Sequence, residues 1–196
     1  MIEEATGERS GSVYQDRIMP RGNEGIVVKT HRLDAFKYSG AVHILRHPLD
    51  AIASYFRWKK EIKGVDIPWR DHVRNSADRW KSHTLHWLRA PYPTATIKFE
   101  DMKTDTDREL GEAISFLRRE VTEHEIGEAV EAASLERARK QVGDEKLASQ
   151  FYRKGDVGGG RERFSPDERR EVQRRIGSVL DRAGYTIDIE SSEEVS

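Results

Sequence analysis

The chain has 196 residues, and its 34 Lys and Arg against 35 Asp and Glu give a formal net charge of −1. This balance excludes the broad positive field that gathers nucleic acid, and the absence of cysteine excludes disulfides, thiolate metal sites and a cysteine nucleophile. No window approaches the roughly 20 apolar residues of a membrane span and no leader pattern opens the chain, so we expect a soluble, cytoplasmic protein with neither nucleic acid nor membrane as a partner.

The N-terminal region carries few signals of regular structure. Residues 1–24 are polar and contain glycine, with little hydrophobic periodicity, so the sequence predicts a loose arm there and a folded domain over residues 25–185. The β-branched run from Gly25 to Thr30 is predicted to be a buried strand. Residues 41–45 form a second such run, which we expect in the same sheet.

The junction around Arg46 is the most informative part of the chain. The apolar run 41–45 stops at Arg46, and Pro48 suits the first position of a helix predicted to continue to about Ile62. The free amides and the dipole of a helix N-terminus favour a phosphate-like anion. Arg46 adds a planar fork of donors, and Ser54 adds a hydroxyl from the same helix. The sequence therefore predicts an anion-binding site.

Further elements follow in chain order. Apolar residues recur at helical spacing from Arg70 to Leu88, which predicts a helix with Trp80 and Trp87 in the core. Residues 94–99 form a third predicted strand, followed by a helix for which Asp101 is placed as the N-cap. That helix is predicted to carry Leu110, Ile114 and Leu117 inward, and one further helix is predicted over about 123–140.

The segment from 141 to 164 is Gly-rich and basic, and two interpretations stay open for it. Arg153 and Lys154 beside Gly155 could reach a phosphate, because glycine lets backbone amides approach an anion closely. Equally, the segment could be a solvated mobile loop. Ser165 with Pro166 then predicts a capped helix, after which residues 186–196 form an acidic tail.

Strands separated by helices favour an α/β domain with a mainly parallel sheet, whose ligands bind outside the carboxyl ends of the strands. Lys29, His31, Arg46 and Phe99 all fall at or just beyond such ends. Lys29 could neutralise charge on a transferred group and His31 could act as a base, or both could be ordinary surface residues. The spacing of histidines and carboxylates indicates no metal site.

Four separated segments resemble, in the same order, those of the cytosolic-type sulfotransferase family, which uses the donor 3'-phosphoadenosine 5'-phosphosulfate (PAPS). They are Lys29-Thr30-His31, the stretch from Arg46 to Phe56, Phe99-Glu100-Asp101-Met102 and Arg153-Lys154-Gly155-Asp156-Val157-Gly158. Phe164 also falls where the family has a phenylalanine. The resemblance covers about residues 24–185 and implies a P-loop-NTPase-like three-layer α/β domain with a mainly parallel sheet.

The resemblance also implies an activity and a role for each matching residue. The reaction would move a sulfuryl group from PAPS, without a metal, to a hydroxyl or amine of a small-molecule or saccharide acceptor, leaving 3',5'-adenosine bisphosphate (PAP). His31 would be the general base and Lys29 would stabilise the sulfuryl group. The remaining assignments concern the nucleotide: Arg46 and Ser54 at the 3'-phosphate, Phe99 at the adenine, and Arg153, Lys154 and Gly155 completing the phosphate pocket.

The chain departs from the family pattern in three places. No good copy of the family's loop for the 5'-phosphosulfate is present, because the echo in residues 8–12 lacks an apolar strand before it. Gly159-Gly160 stands where the family usually has Asp-Trp, and Ala133-Ser134-Leu135 replaces Thr-Ser-Phe. The expected fold is therefore N-terminally incomplete, and the alternative is a non-catalytic PAPS- or PAP-binding or interaction module.

Overall fold

A computed structural model describes residues 1, 5–6, 11–12, 28–29, 39–117, 119–134 and 157–189. Its strands are β1 (Gly11–Ser12), β2 (Val28–Lys29), β3 (Ala41–Leu45) and β4 (Thr94–Lys98). Its α-helices are α1 (Pro48–Arg57), α2 (Trp69–Leu88), α3 (Phe99–Thr104), α4 (Thr106–Phe116), α5 (Glu123–Ala132) and α6 (Pro166–Ala183). A π-helical turn (Trp58–Ile62) and a 3-10 turn (Arg161–Arg163) complete these elements.

The strand pairs are parallel, as the element order predicted. β3 pairs with β4, with Ala41 opposite Thr94 and Leu45 opposite Lys98. β2 pairs with β1 rather than with β3, so within the described residues the expected pairing of the strand runs 25–30 and 41–45 is not found. A β-branched run predicts extended backbone, but packing decides which strand lies beside it.

Helix α1 begins where the sequence predicted, with Pro48 in its first turn. It buries Leu49, Ile52 and Phe56 on one side, at the helical spacing expected for a face against the core. The chain then widens into the π-helical turn, in which the Lys63 amide donates to the Trp58 carbonyl. The predicted helix to about Ile62 is therefore confirmed, with a change of helix type in its last turn.

The main core forms where α6 packs against α2 and α1. Val172, Ile176 and Val179 on α6 are fully buried, and Trp80 and Trp87 on α2 are buried as predicted. Helix α6 starts at a capping box, in which the Ser165 hydroxyl accepts from the amide of Glu168 and the Glu168 carboxylate accepts from the Ser165 amide. This cap was expected from the sequence and fixes where the chain enters α6.

Two helix boundaries differ from the predictions. Asp101 is not an N-cap, because α3 begins at Phe99 with Lys98 as its N-cap and Asp101 lies in the first turn. The helix expected over 123–140 ends earlier, since α5 stops at Ala132 and Ser134 lies outside it. Good helix formers permit a helix without deciding where it stops.

A second, smaller hydrophobic cluster lies between α4 and α5. Leu110 and Ile114 of α4 pack there with Ala129 of α5 and with Ala5, which is 3% exposed. Part of the segment predicted to be a loose arm therefore contributes a buried side chain. At the other end, Ile187 is buried in the main core, so packing continues past α6.

We expect buried His43 to make the stability of the fold depend on pH. It is 4% exposed, and its ring centroid lies 5.3 Å from that of His83 and 5.9 Å from that of Trp87. Burial, reinforced by His83 and His86, lowers the pKa of His43 from 6.5 to about 4. Between these values the unfolded chain binds a proton that the native state does not. The free energy of unfolding should therefore fall on acidification, by about 2 kcal/mol between pH 7 and pH 5.

Urea unfolding at the two pH values measures this dependence. His43→Phe keeps an aromatic ring against Trp87 and removes the proton site, so its unfolding free energy should change less with pH than that of the wild type. His47 and His72, whose pKa values burial also lowers, account for the part that remains. His124→Gln is the control, because the His124 side chain is 82% exposed. Equal pH dependence in the His43→Phe variant and the wild type would contradict the assignment.

Candidate functional site

Arg46 lies between the end of β3 and the N-terminus of α1. Its carbonyl accepts a hydrogen bond of 3.0 Å from the indole Nε1 of Trp80, which fixes the backbone after the strand. Its guanidinium carbon lies 4.4 Å from the ring centroid of Phe99, at the start of α3, within cation–π distance. Two of the segments that the sequence assigned to one ligand therefore meet at the carboxyl edge of β3 and β4.

Charged side chains surround Arg46. Burial lowers its pKa, Asp50 and Glu100 oppose that change, and Arg57 and Arg161 add to it. A guanidinium stays protonated in proteins because its ordinary pKa is so high. A fixed positive charge therefore lies beside the N-terminus of α1, the arrangement that favours a bound anion.

Glu100 ties this junction to the end of α6. One carboxylate oxygen accepts from the backbone amide of His47 at 2.9 Å, and the other accepts from the Tyr185 hydroxyl at 2.6 Å. Burial, followed by the bond to Glu100, raises the pKa of Tyr185 well above its usual range, so the phenol remains a donor. His47 adds a bond from Nε2 to the Thr186 carbonyl at 3.0 Å. Glu100 is thus an anchor for the backbone before α1 rather than an acid or base.

Asp50, in the first turn of α1, is a part of the site that sequence reasoning missed. Its side chain is fully buried, and its carboxylate accepts from the amides of Gly158 at 3.0 Å and Gly160 at 2.9 Å. Arg161 Nε donates to the same carboxylate at 3.0 Å. The available signal was an acidic residue near a helix N-terminus, which is common in exposed helices and does not indicate a distant partner.

Ser54 lies four residues after Asp50 on α1, so both residues share one side of the helix. The glycine segment, defined as residues 158–160, lies against that side, because Gly160 contacts both Ala53 and Asp50. Ser54 is partly buried. The predicted serine therefore lies one turn after Asp50, on the side of α1 that the glycine segment borders.

Gly160 occupies a position without room for a side chain. A Cβ atom there would lie 2.9 Å from the Cβ of Ala53 and 3.0 Å from Oδ1 of Asp50. A tryptophan, which the sulfotransferase pattern usually has at this place, would not fit this backbone. Glycine at position 160 therefore allows the glycine segment to lie close against α1.

Gly160→Ala should lower the free energy of unfolding by about 2 kcal/mol, because the added methyl group must displace α1 or the Asp50 carboxylate. Gly177→Ala is a matched control, since Gly177 lies within α6 and a Cβ there meets no atom within 4 Å. That exchange should stabilise the helix by about 0.5–1 kcal/mol. Thermal and urea unfolding of both variants measure the difference. Equal effects at the two glycines would contradict the tight contact.

The other predicted site residues are placed only in part. The backbone of Lys29 belongs to β2, and His31 lies outside the described residues. Arg153, Lys154 and Gly155 also lie outside them. The structure thus brings together Arg46, Phe99 and the helix bearing Ser54. The role of every predicted site residue, these three included, stays a prediction.

The described part of the chain holds neither a metal-ion cluster nor a membrane-spanning helix. Within it, no group of three or more histidines or carboxylates is arranged to hold a metal ion. No helix in the same ranges is both long and apolar enough to cross a membrane.

Comparison with known proteins identifies related sequences. A family model described as a sulfotransferase domain matches residues 37–184. Sulfotransferase 1A1 of Mus musculus is 28% identical over 92 residues, covering 42% of this chain and 32% of that protein. The range matched by the family model includes the junction at Arg46, Phe99 and the segment that Asp50 holds.

Two solved structures share the fold. The crystal structure of mouse sulfotransferase SULT7A1 complexed with PAP matches with a TM-score of 0.57 and 20% identity, over 68% of this chain and 56% of that one. Retinol dehydratase in complex with androsterone and inactive cofactor PAP matches with a TM-score of 0.52 and 18% identity, over 91% and 57%. The P-loop-like fold is thereby confirmed. The chain spans little more than half of the chains in these two structures and about a third of sulfotransferase 1A1.

Proposed function

The chain belongs to the sulfotransferase domain family, and from this premise we propose that it transfers a sulfuryl group from PAPS to a hydroxyl or amine of a small-molecule or saccharide acceptor. The observation that supports the proposal most is the position of Arg46. Its guanidinium lies on the Phe99 ring beside the N-terminus of α1, where a phosphate would be bound.

The described residues fit the 3'-phosphate end of the donor. Arg46 offers a planar fork of charged donors, α1 offers the amides of Leu49 and Asp50 that follow Pro48, and Ser54 adds a hydroxyl. Phe99 offers an aromatic surface for the adenine, although Arg46 already covers one side of its ring. Because phenylalanine has no hydroxyl, adenine recognition at Phe99 would rest on ring packing alone.

The catalytic roles in this proposal follow from the family resemblance. PAPS supplies the sulfuryl group when it is bound. His31 would take the proton of the acceptor hydroxyl, and the Lys29 ammonium would oppose the negative charge that gathers on the transferred group. Arg153, Lys154 and Gly155 would complete the phosphate pocket. Like phosphoryl transfer, the reaction depends chiefly on positioning and charge stabilisation.

Two assays on the full chain test the proposal. Calorimetric titration should show that PAP binds about 100-fold more tightly than AMP, which lacks the 3'-phosphate. Incubation with sulfate-labelled PAPS and a panel of hydroxyl and amine acceptors should transfer the label. Tight PAP binding without transfer to any acceptor would identify a nucleotide-binding module instead of an enzyme. Failure to bind PAP would overturn both functions.

A further inference from the structure

Asp50 has no role in the proposed reaction, yet its carboxylate accepts three hydrogen bonds, one more than Glu100, the other acid beside Arg46 among the described residues. We propose that Asp50 is a positioning residue for the nucleotide's 3'-phosphate, because it holds the glycine segment against α1 beside Arg46. This inference rests on the proposed function and adds a residue that acts through others rather than by touching the nucleotide.

Both oxygens of the Asp50 carboxylate are used. Oδ1 accepts from the Gly160 amide, and Oδ2 accepts from the Gly158 amide and from Arg161 Nε. Burying a carboxylate costs several kcal/mol unless charged and polar partners offset the loss of water. An acid that served only the dipole of α1 would not need to be buried. The buried position therefore indicates that Asp50 stabilises the contact between α1 and a segment more than 100 residues away.

The downstream end of this segment is also fixed. Arg169, on α6, donates from its guanidinium to the carbonyls of Phe164 and Arg161, and the Phe164 side chain is 1% exposed. The glycine segment is therefore held on both sides, by Asp50 at its own amides and by Arg169 at the carbonyl of Arg161 that follows it.

The negative charge of Asp50 needs a positive partner if a phosphate is to bind nearby. A lone carboxylate near a phosphate site would repel the phosphate, but the Arg161 guanidinium pairs with Asp50 at 3.0 Å. Asp50 raises the pKa of Arg46 and Arg161 lowers it, so the paired carboxylate and guanidinium offset each other beside Arg46. Arg161 should therefore support 3'-phosphate binding through Asp50.

The test compares PAP with AMP in the full chain. Asp50→Asn keeps the side-chain shape but presents an amide NH2 to neighbouring donors, so PAP affinity should fall about 10-fold while AMP affinity stays the same. In a transfer assay, KM for PAPS should rise and kcat should change little. Arg161→Gln, at a partly exposed side chain, should also lower PAP affinity about 10-fold, since it leaves the Asp50 charge unpaired. Ile114→Val, in the separate cluster at α4, is the control for lost stability.

Each result either supports or overturns the role proposed for Asp50. The inference is overturned if folded Asp50→Asn keeps the wild-type preference for PAP over AMP, whether both affinities are unchanged or both fall by the same factor. If Asp50→Asn does not fold, Arg161→Gln decides by the same criterion. A wild-type chain that shows no preference for PAP would instead overturn the proposed function. The Ile114→Val variant should keep the wild-type preference despite its lower stability.

Discussion

Replacing Arg46 with alanine is expected to weaken PAP binding about 100-fold and to leave AMP binding nearly unchanged. The guanidinium would form charge-assisted hydrogen bonds with the 3'-phosphate, each worth about 1.5–3 kcal/mol. Its place on the Phe99 ring restricts the directions it can adopt before the nucleotide arrives. Less freedom is therefore lost on binding than for an arginine in solvent.

Two variants control this measurement by calorimetry. Arg46→Lys keeps the charge but loses the planar fork, so PAP affinity should fall by an intermediate factor of about 10. Arg79→Ala removes an arginine on α2 whose guanidinium lies 5.5 Å from the Tyr55 ring centroid, and it should leave both affinities unchanged. Equal PAP affinity in Arg46→Ala and wild type would show that the 3'-phosphate does not bind at this junction. Unfolding curves must show that the variants fold.

The junction at Arg46 could be predicted from the sequence because all its signals are local. A strand-forming run, an arginine and a proline at the first helical position follow one another within eight residues. The same holds for the start of α6, where Ser165, Pro166 and Glu168 form the predicted cap. Local hydrogen bonds decide such features, and neighbouring residue types reveal them.

The contacts that assemble the site could not be predicted in this way. Asp50 meets Gly160 across 110 positions, and Glu100 meets Tyr185 across 85. Neither carboxylate differs in its sequence surroundings from an ordinary acid in a helix's first turn. Such pairs depend on how α1, α3 and α6 pack, which hydrophobic periodicity does not specify.

The family resemblance and the physical reading supply different parts of the site. Resemblance assigned Arg46 to the 3'-phosphate, and helix-terminus physics assigned the same residue to an anion without it. Asp50 and Glu100 emerged only from the hydrogen bonds that the fold creates. Local sequence therefore places the donor Arg46 at the anion site. The carboxylates of Asp50 and Glu100 hold the surrounding backbone through contacts with residues far away in the sequence.

If the chain transfers sulfate, His31→Ala is expected to lower kcat by about 100- to 10,000-fold, the range typical of a lost general base. His31 lies outside the described residues, so this prediction rests on the resemblance of Lys29-Thr30-His31 to the family's catalytic segment. PAP affinity should not change, because the base acts at the acceptor and Arg46 holds the other end of the nucleotide. Loss of turnover without loss of PAP binding therefore separates catalysis from nucleotide recognition.

The pH dependence of kcat provides an independent readout for His31. A histidine base works only in its neutral form, so wild-type activity should fall on acidification, and that acidic limb should be absent from the residual activity of His31→Ala. His124→Ala, at a highly exposed histidine, should keep both the rate and the limb. A His31→Ala variant with wild-type kcat would show that another group accepts the proton. Lys29 would stabilise the charge on the sulfuryl group and would not take the acceptor's proton. Lys29→Ala should therefore lower kcat, while kcat should still fall on acidification as in the wild type.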